Sequence, residues 1–195
     1  MITAKLFYII GPSGAGKDSL IEYIRQRCTS QSGIAVAHRY ITRNPDAGGE
    51  NHVALSKDEF IYRKKSGLFA MDWHRHETHY GIGIEVEHWL LAGMHVVVNG
   101  SRSYLPEAEK RFENLCPIFV HVDIKVLRER LLSRGRESVA QIEKRLAKAR
   151  EDESYYLSRD TILKVENNGS LAEAGENLWK LIGSDGNLRE LATLR

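Results

Sequence analysis

A glycine-rich segment near the amino terminus combines the residue types that bind phosphate. Residues 11–17 read Gly-Pro-Ser-Gly-Ala-Gly-Lys, the G-x-x-x-x-G-K pattern of nucleotide-binding loops. Its glycines permit backbone angles that let successive N–H groups turn toward phosphate oxygens. Lys17 adds a positive charge near the β- and γ-phosphates, and a helix that begins there directs its positive end at the same group. The segment therefore predicts a nucleotide site.

Asp18 departs from this pattern, because serine or threonine normally follows the lysine and helps to hold Mg²⁺. In one hypothesis the Asp18 carboxylate binds Mg²⁺ directly or through water. In the other, Asp18 is a favourable anion in the first helical turn, and Ser19 or water serves the metal. We favour the first hypothesis, because carboxylates suit Mg²⁺.

Arginines in later segments could position a transferring phosphoryl group, since a guanidinium can bind a phosphate through two hydrogen bonds. Residues 39–52 contain Arg39 and Arg43 together with two adjacent glycines and a proline. Residues 100–103 read Gly-Ser-Arg-Ser and follow an apolar run. Both segments therefore predict loops that bind an anionic small molecule.

A further arginine-rich segment allows two interpretations. Arg128, Arg130 and Arg145 could form a solvated helix face with local ion pairs. Arg134 and Arg136 instead flank a glycine in a hinge-like loop, which favours a phosphate-binding role for these two residues.

The strands and helices that position these loops can be predicted from apolar patterns. Runs rich in β-branched residues predict strands at residues 6–10, 35–39, 68–73, 95–99, 118–122 and 162–165. Helical patterns lie at residues 18–27, 84–92, 104–113, 124–133, 139–157 and 170–182. This alternation predicts an α/β fold, with a mostly parallel sheet between layers of helices. Ligands of such sheets gather at the carboxyl ends of the strands, where the loops named above should meet.

Composition restricts the class of protein. A chain of 195 residues suits one domain with an ample core. With 28 basic and 26 acidic residues, the net charge of +2 predicts no nucleic-acid partner. We expect neither a secretory leader nor a membrane span. Cys28 and Cys116 are expected to be buried thiols of a cytosolic protein rather than a disulfide or a metal site.

Several segments together resemble the guanylate kinase-like P-loop kinases, over residues 5–182. Within that superfamily they are similar to the ribose 1,5-bisphosphate phosphokinases of bacterial phosphonate catabolism. The resemblance is carried by the phosphate loop, by His-Arg-Tyr-Ile-Thr-Arg at 38–43, by Val-Asn-Gly-Ser-Arg at 98–102, and by residues 50–52, 80–81 and 134–137. It implies a three-layer nucleoside-monophosphate-kinase-like fold.

Relative to guanylate kinase, the expected acceptor loop keeps only part of its phosphate grip. That enzyme holds the GMP phosphate with two arginines and a tyrosine. When the two sequences are aligned, Arg43 matches one of these arginines. Asp46 stands at the position of the other arginine, and His52 stands at the position of the tyrosine. His74 falls where a glutamate reads guanine, and Ile82 begins the replacement of a hydroxyl-bearing segment. Loss of a buried base-reading hydrogen bond removes specificity by several orders of magnitude.

The segment after the central strand also departs from guanylate kinase. Two aspartates of guanylate kinase become Asn99 and Ser101, and Arg102 is added beside them. The expected acceptor site thus lacks the carboxylate that recognises guanine, and it contains neutral polar groups and a cation instead. Such a site fits a sugar that carries two phosphates better than a nucleotide.

The resemblance implies transfer of the γ-phosphoryl group of ATP, with Mg²⁺, to the 1-phosphate of ribose 1,5-bisphosphate. The products would be 5-phospho-α-D-ribosyl 1-diphosphate (PRPP) and ADP. The attacking phosphate oxygen is already ionised, so that positioning and charge neutralisation suffice without a general base. Closure of a lid would exclude water. A cytoplasmic bacterial enzyme is implied.

The roles of individual residues follow from the same resemblance. Catalysis is assigned to Lys17, Arg134, Arg136 and Arg145. Expected ATP contacts are Gly11, Pro12, Ser13, Gly14, Ala15, Gly16, Lys17, Asp18, Ser19 and, near the adenine, Asn167. Expected acceptor contacts are Arg39, Arg43, Tyr80, Asn99, Ser101 and Arg102. One kinase domain over residues 1–195 would contain an acceptor-binding insert at 38–82, a lid at 133–146 and a peripheral tail at 183–195.

Two other functions remain open from the sequence. One is a nucleoside-monophosphate kinase, disfavoured by Asp46, His74 and Asn99. The other is a non-catalytic guanylate-kinase-like binding module, disfavoured because Lys17 persists. A zinc site at the histidines near residue 76 is less favoured than a neutral polar rim, since no cysteine or clear carboxylate ligand completes a tetrahedral set.

Overall fold

Strand β1 (Leu6–Ile10) lies at the centre of a five-stranded sheet. The structure is a computed structural model that describes residues 4–44, 51–75, 77–135 and 137–185. The other strands are β2 (Ile34–Val36), β7 (His95–Asn99), β8 (Leu115–His121) and β9 (Leu163–Glu166). Their order is β2-β7-β1-β8-β9, and every pairing is parallel. All residues of β1 and β7 are buried, as expected for strands covered on both faces.

Helices cover both faces of this parallel sheet. They are α1 (Lys17–Arg27), α3 (Glu85–Leu91), α4 (Leu105–Arg111), α5 (Ile124–Arg134), α6 (Val139–Ser158) and α7 (Leu171–Asp185). Phe7 and Ile9 of β1 belong to a core cluster with α1, α5, α6 and α7, whereas Leu6 and Tyr8 belong to a cluster with α3 and α4. Each fully buried aliphatic or aromatic side chain contributes about 1.5–3 kcal/mol. The predicted α/β layers and the mostly parallel central sheet are confirmed.

A smaller second sheet contributes the opposite wall of the site. Its strands are β3 (Arg39–Ile41), β4 (His52–Ala54), β5 (Phe69–Arg75) and β6 (Thr78–Gly83), in the order β4-β3-β6-β5. β6 is antiparallel to both β3 and β5, whereas β3 and β4 are parallel. Helix α2 (Lys57–Lys65) covers one face, where Phe60 stacks on Phe69 with ring centroids 4.6 Å apart. The other face, which we call the cleft face, packs partly against the core of the parallel sheet.

This second sheet was predicted only in part. The expected strand at 35–39 is divided, because the chain leaves the parallel sheet after Val36 and re-forms as β3 in the other sheet. Neither β4 nor α2 was predicted: β4 has three residues, and α2 buries only Phe60. Strand β6 includes two glycines and three polar residues, so that its apolar signal is weak.

The tryptophans and cysteines are only partly buried. Trp73, Trp89 and Trp179 pack against the core clusters while remaining partly exposed. Cys28 and Cys116 form no disulfide within the described residues, and both are half-buried rather than buried as expected. No helix within the described residues is long and apolar enough to cross a membrane.

Candidate active site

The phosphate loop connects β1 to α1 beneath the carboxyl end of the parallel sheet. Gly16 precedes α1 with φ +84°, and no side chain caps the first turn of this helix. The first N–H groups of α1 are therefore available to an anion. A Cβ at Gly16 would lie 2.5 Å from Asn167 Nδ2, so that any side chain there would displace Asn167.

Lys17 reaches back over the phosphate loop. Its Nζ donates to the carbonyl oxygens of Gly11 and Pro12, each at 3.0 Å. Burial lowers the pKa of Lys17 to about 8, although Asp18 opposes this shift. Arg39, Arg102 and Arg75 also act on Lys17, and each lowers its pKa further. Three arginines thus lie near enough to act on Lys17, and a bound anion would relieve this repulsion.

Asp18 meets the parallel sheet at the end of β7. Asn99 Nδ2 donates to Asp18 Oδ1 at 2.7 Å, and Asn99 is only 4% exposed. Asn99 Oδ1 is buried and has no hydrogen-bond partner in the part of the chain that the structure describes. An orphaned amide oxygen beside a carboxylate is an oxygen donor set that fits Mg²⁺. Ser19 is exposed on α1.

The loop after β7 is held from below by Tyr8 of β1. Its hydroxyl accepts from the backbone N–H of Ser101 at 2.9 Å and donates to the carbonyl of the same residue at 3.2 Å. Burial raises the pKa of Tyr8 above its usual range, so that the hydroxyl keeps its proton. A Cβ at Gly100 would lie 2.3 Å from the Tyr8 ring, which explains the glycine there. Ser101 is thereby held two residues after Asn99 at the carboxyl end of β7.

Aromatic rings line the cleft face of the second sheet. Trp73 and Tyr80 are paired across β5 and β6, with ring centroids 5.7 Å apart and planes 5° apart. Tyr104 packs on the same tryptophan at 5.6 Å. The Arg39 guanidinium lies 5.2 Å from the centre of the Tyr80 ring. Burial lowers the pKa of Arg39 to about 10, while Asp18 opposes the shift. The structure thus brings Arg39 and Tyr80 together, as predicted, beside the phosphate loop.

Arg102 differs from its expected role as an added cation. Its Nη1 lies 2.5 Å from Asp152 Oδ2 of α6, and both side chains are largely buried. The Tyr156 hydroxyl donates to the Arg102 carbonyl at 3.3 Å. Arg102 therefore lies at the site but with its charge largely neutralised. The sequence showed no link between Arg102 and an acidic residue on a distant helix.

Arg43 lies further out on the second sheet. It lines a surface pocket of about 600 Å³, together with Thr42, Asn44 and Lys57. Arg43 Nε is buried without a hydrogen-bond partner, and the Arg43 carbonyl lies 3.3 Å from His52 Nε2. Asp46, the expected replacement for a phosphate-binding arginine, falls outside the described residues.

The expected lid already touches the phosphate loop. Arg145 Nη1 donates to Ser13 Oγ at 2.7 Å. Glu137 bridges Arg134 and Arg145, at 3.2 Å and 2.8 Å. The predicted catalytic arginines 134 and 145 are thus brought together, whereas Arg136 falls outside the described residues.

Arg128 and Arg130, the two other arginines of this segment, have different surroundings. Arg128 pairs with Glu143 at 3.0 Å on an exposed helix face, which matches the ion-pair interpretation. Arg130 extends from α5 to within 4.0 Å of where a Cβ on Gly16 would lie. This proximity to the phosphate loop favours the phosphate-binding interpretation for Arg130.

Asn167 supports the phosphate loop from beneath. Its Nδ2 donates to the Ala15 carbonyl at 2.7 Å, and the side chain is buried. Its backbone N–H donates to the His121 carbonyl at 2.9 Å. The contact shown is with the protein backbone, and it fixes the loop that would cradle the phosphates.

His74 does not lie where the sequence comparison placed it. The His74 ring packs against His79, with ring centroids 4.5 Å apart, and His79 in turn packs on Phe60 of α2. His74 is therefore on the face of the second sheet that α2 covers. Alternation along β5 puts Met71, Trp73 and Arg75 on the cleft face instead. The expectation that His74 replaces a base-reading carboxylate at the acceptor site is corrected by this geometry.

Sequence reasoning missed several residues that complete the site. Arg75 was not predicted as a residue of the site. Alternation along the strand would have placed it on the same face as Trp73, two residues earlier. Tyr8 was taken as part of an apolar strand, and only its hydroxyl distinguished it. Among the described residues, no group of three His, Cys, Asp or Glu side chains is arranged to hold a metal ion.

The arrangement can bind phosphate groups on both sides of one point. Lys17 and the first turn of α1 face it from the parallel sheet, and Arg39 faces it from the second sheet. Arg145 reaches it from the lid segment. Charge neutralisation from several directions is what in-line phosphoryl transfer requires.

Comparison with known proteins agrees with this geometry. A guanylate kinase family model matches residues 3–184. The chain is 48% identical to a protein of Psychromonas ingrahamii named ribose 1,5-bisphosphate phosphokinase PhnN, over 91% of this chain and 89% of the relative. It is 51% identical to a protein of the same name from Chromobacterium violaceum, over 91% and 93% of the two chains.

The fold is also found among solved structures. The crystal structure of guanylate kinase from Anaplasma phagocytophilum is similar, with a TM-score of 0.64 and 16% identity. The likeness covers 100% of this chain and 96% of that one. At this identity it supports the fold alone. The family model and the relatives near 50% identity show more: the chain belongs to the guanylate kinase family and, within it, to the ribose 1,5-bisphosphate phosphokinases.

Proposed function

We propose that this protein transfers the γ-phosphoryl group of ATP to ribose 1,5-bisphosphate, forming PRPP and ADP. The observation that carries this proposal is the cleft face of β5, which presents Met71, Trp73 and Arg75. Guanine recognition needs an acceptor for its N–H groups, whereas these three side chains are apolar, aromatic and cationic. An aromatic surface beside cations suits a sugar ring that carries phosphates.

Each part of the site has a defined task in this reaction. The backbone of the phosphate loop and Lys17 hold the β- and γ-phosphates of ATP. Arg39 steers the ionised 1-phosphate of the acceptor toward the γ-phosphorus, and the Asn99–Ser101 loop contacts it with neutral donors. Because the attacking oxygen already carries charge, no side chain has to remove a proton.

The lid segment supplies charge neutralisation and closure. Arg134 and Arg145 share Glu137, and Arg145 also binds Ser13. Incoming phosphates would compete for both arginines and draw the segment over the ATP. Closure removes water, which would otherwise accept the phosphoryl group and hydrolyse ATP.

Asp18 and Asn99 are the residues that would hold Mg²⁺, because the Asn99 amide is hydrogen-bonded to the Asp18 carboxylate and Asn99 Oδ1 has no partner among the described residues. The ion, when bound, neutralises charge on the transferring phosphate. Asn167 keeps the phosphate loop in place through Ala15, close to the expected adenine.

The wider assignment follows the names of the relatives. We infer a place in PRPP formation during phosphonate catabolism, in the cytoplasm, with one kinase domain. Its acceptor-binding insert would span residues 38–82, and its lid would span residues 133–146.

The assay that tests the proposal measures ADP formation from ATP and Mg²⁺ with ribose 1,5-bisphosphate, with GMP or with no acceptor. PRPP should appear in equal amount with ADP when the bisphosphate is present. Faster turnover of GMP would instead identify a nucleoside-monophosphate kinase. Absence of turnover with every acceptor would indicate a binding module.

A further inference from the structure

Arg75 occupies the last position of β5 at the outer end of the cleft face. Trp73 lies two residues earlier on the same face and stacks on Tyr80, which also carries the Arg39 guanidinium. Arg75 is exposed, and no carboxylate forms an ion pair with it in the parts of the chain that the structure describes. An uncompensated guanidinium thus stands at the open end of an aromatic surface.

The charge of Arg75 affects the pKa values of two other cations of the site. It lowers the pKa of Lys17, less strongly than Arg39 does, and it lowers the pKa of Arg102. Arg75 therefore acts on Lys17 of the phosphate loop, but more weakly than Arg39 does. Arg102, the cation expected from the sequence, is neutralised by Asp152 at 2.5 Å.

An acceptor with two phosphates needs a second cationic position. Lys17 and Arg39 face the point of transfer, where the 1-phosphate must lie. We propose that Arg75 binds the second phosphate of the acceptor, the 5-phosphate, with the ribose lying along Trp73 and Tyr80. This assignment rests on the proposed function and makes Arg75 the residue that selects a bisphosphate over a monophosphate.

The test compares two acceptors that differ only in the 5-phosphate. Arg75→Gln should lower kcat/KM for ribose 1,5-bisphosphate by about 10- to 100-fold, because a charge-assisted bidentate contact is lost. For ribose 1-phosphate the same variant should change kcat/KM by less than about threefold, since that acceptor has nothing for Arg75 to bind. The KM for ATP should stay unchanged.

Two further variants make the result specific. Arg75→Lys keeps the charge but not the paired geometry and should recover part of the loss. His74→Gln alters the adjacent residue on the opposite face and should behave like the wild type. Inhibition by ribose 5-phosphate gives a measurement that needs no turnover, and its inhibition constant should rise in Arg75→Gln alone.

The outcomes separate this assignment from the proposed function. Equal losses with both acceptors, or an unchanged kcat/KM for the bisphosphate, would overturn the role of Arg75 while leaving the reaction intact. Failure of the wild type to use ribose 1,5-bisphosphate would overturn the proposed function and this assignment with it.

Discussion

Removing one hydroxyl from Tyr8 tests how the loop after β7 is held. Tyr8 is fully buried, and its hydroxyl makes two hydrogen bonds to the backbone of Ser101. In Tyr8→Phe both bonds are lost. The Ser101 N–H then loses its protein partner, whereas the Ser101 carbonyl still accepts from the Tyr104 N–H at 3.2 Å. Loss of a hydrogen bond with an unsatisfied partner left behind lowers the free energy of unfolding by about 1–3 kcal/mol. For a domain of this size, the corresponding fall in Tm is about 2–4 °C per kcal/mol.

The catalytic effect should be larger than the stability effect suggests. Ser101 would lose the contacts that place it beside Asn99, so that the acceptor phosphate would be less well aligned. Misplacement by about 1 Å can lower a rate by about 10²-fold. We therefore expect kcat with ribose 1,5-bisphosphate to fall by about 10- to 100-fold, while the KM for ATP changes little.

Thermal unfolding and steady-state kinetics on Tyr8→Phe measure both effects. Tyr62→Phe is a matched control, because Tyr62 lies on α2 and is 69% exposed. The reasoning is refuted if Tyr8→Phe and Tyr62→Phe have the same Tm and the same kcat as the wild type. A fall in Tm with unchanged kcat would refute the positioning role and leave only a structural one.

Three further predictions test separate contacts. Arg145→Ala should lower kcat by about 10²-fold, as loss of a transition-state donor does, whereas Arg128→Ala should leave kcat unchanged in the same assay. Asp18→Ser should raise the Mg²⁺ concentration needed for half-maximal rate, and Asn99→Asp in the same chain should lower it again. An unchanged Mg²⁺ requirement would remove Asp18 from the metal site. Burial alone would lower the pKa of His121, but its hydrogen bonds to two carboxylates raise it above 6.5. The resulting stability is present below the unfolded pKa and is lost as pH rises through the folded pKa. The Tm difference between wild type and His121→Gln should shrink over that window, and a constant difference would contradict this.

The phosphate loop and the parallel sheet were predictable because local sequence determines them. Glycine spacing specifies a backbone that binds phosphate, and continuous apolar runs specify strands covered on both faces. The boundaries of β1 and β7 were predicted without error. The second sheet was less predictable, since its strands are short and their stability depends on contacts with α2 and with each other.

Side-chain partners were the least predictable part of the site. Arg102 and Asp152 form an ion pair although they lie far apart in sequence, and no local pattern links them. The positions of His74 and Arg75 show a second reason. A strand places neighbours on opposite faces, so that an alignment error of one residue exchanges a residue of the site for one on the far side. Motif spacing located β5 but did not determine its face.

The contact between Asp18 and Asn99 explains two departures together. In the guanylate kinase pattern a hydroxyl follows the lysine and a carboxylate follows the central strand, whereas here the carboxylate follows the lysine and an amide ends β7. The 2.7 Å hydrogen bond shows that the two positions are adjacent, so that the carboxylate has moved across the site rather than disappeared. Its negative charge now lies on the side of the phosphate loop, where it offsets Lys17. The acceptor side of the same contact is neutral, which lowers repulsion toward an incoming phosphate. We therefore expect a dianionic 1-phosphate to be less strongly repelled at β7 than it would be by a carboxylate at residue 99.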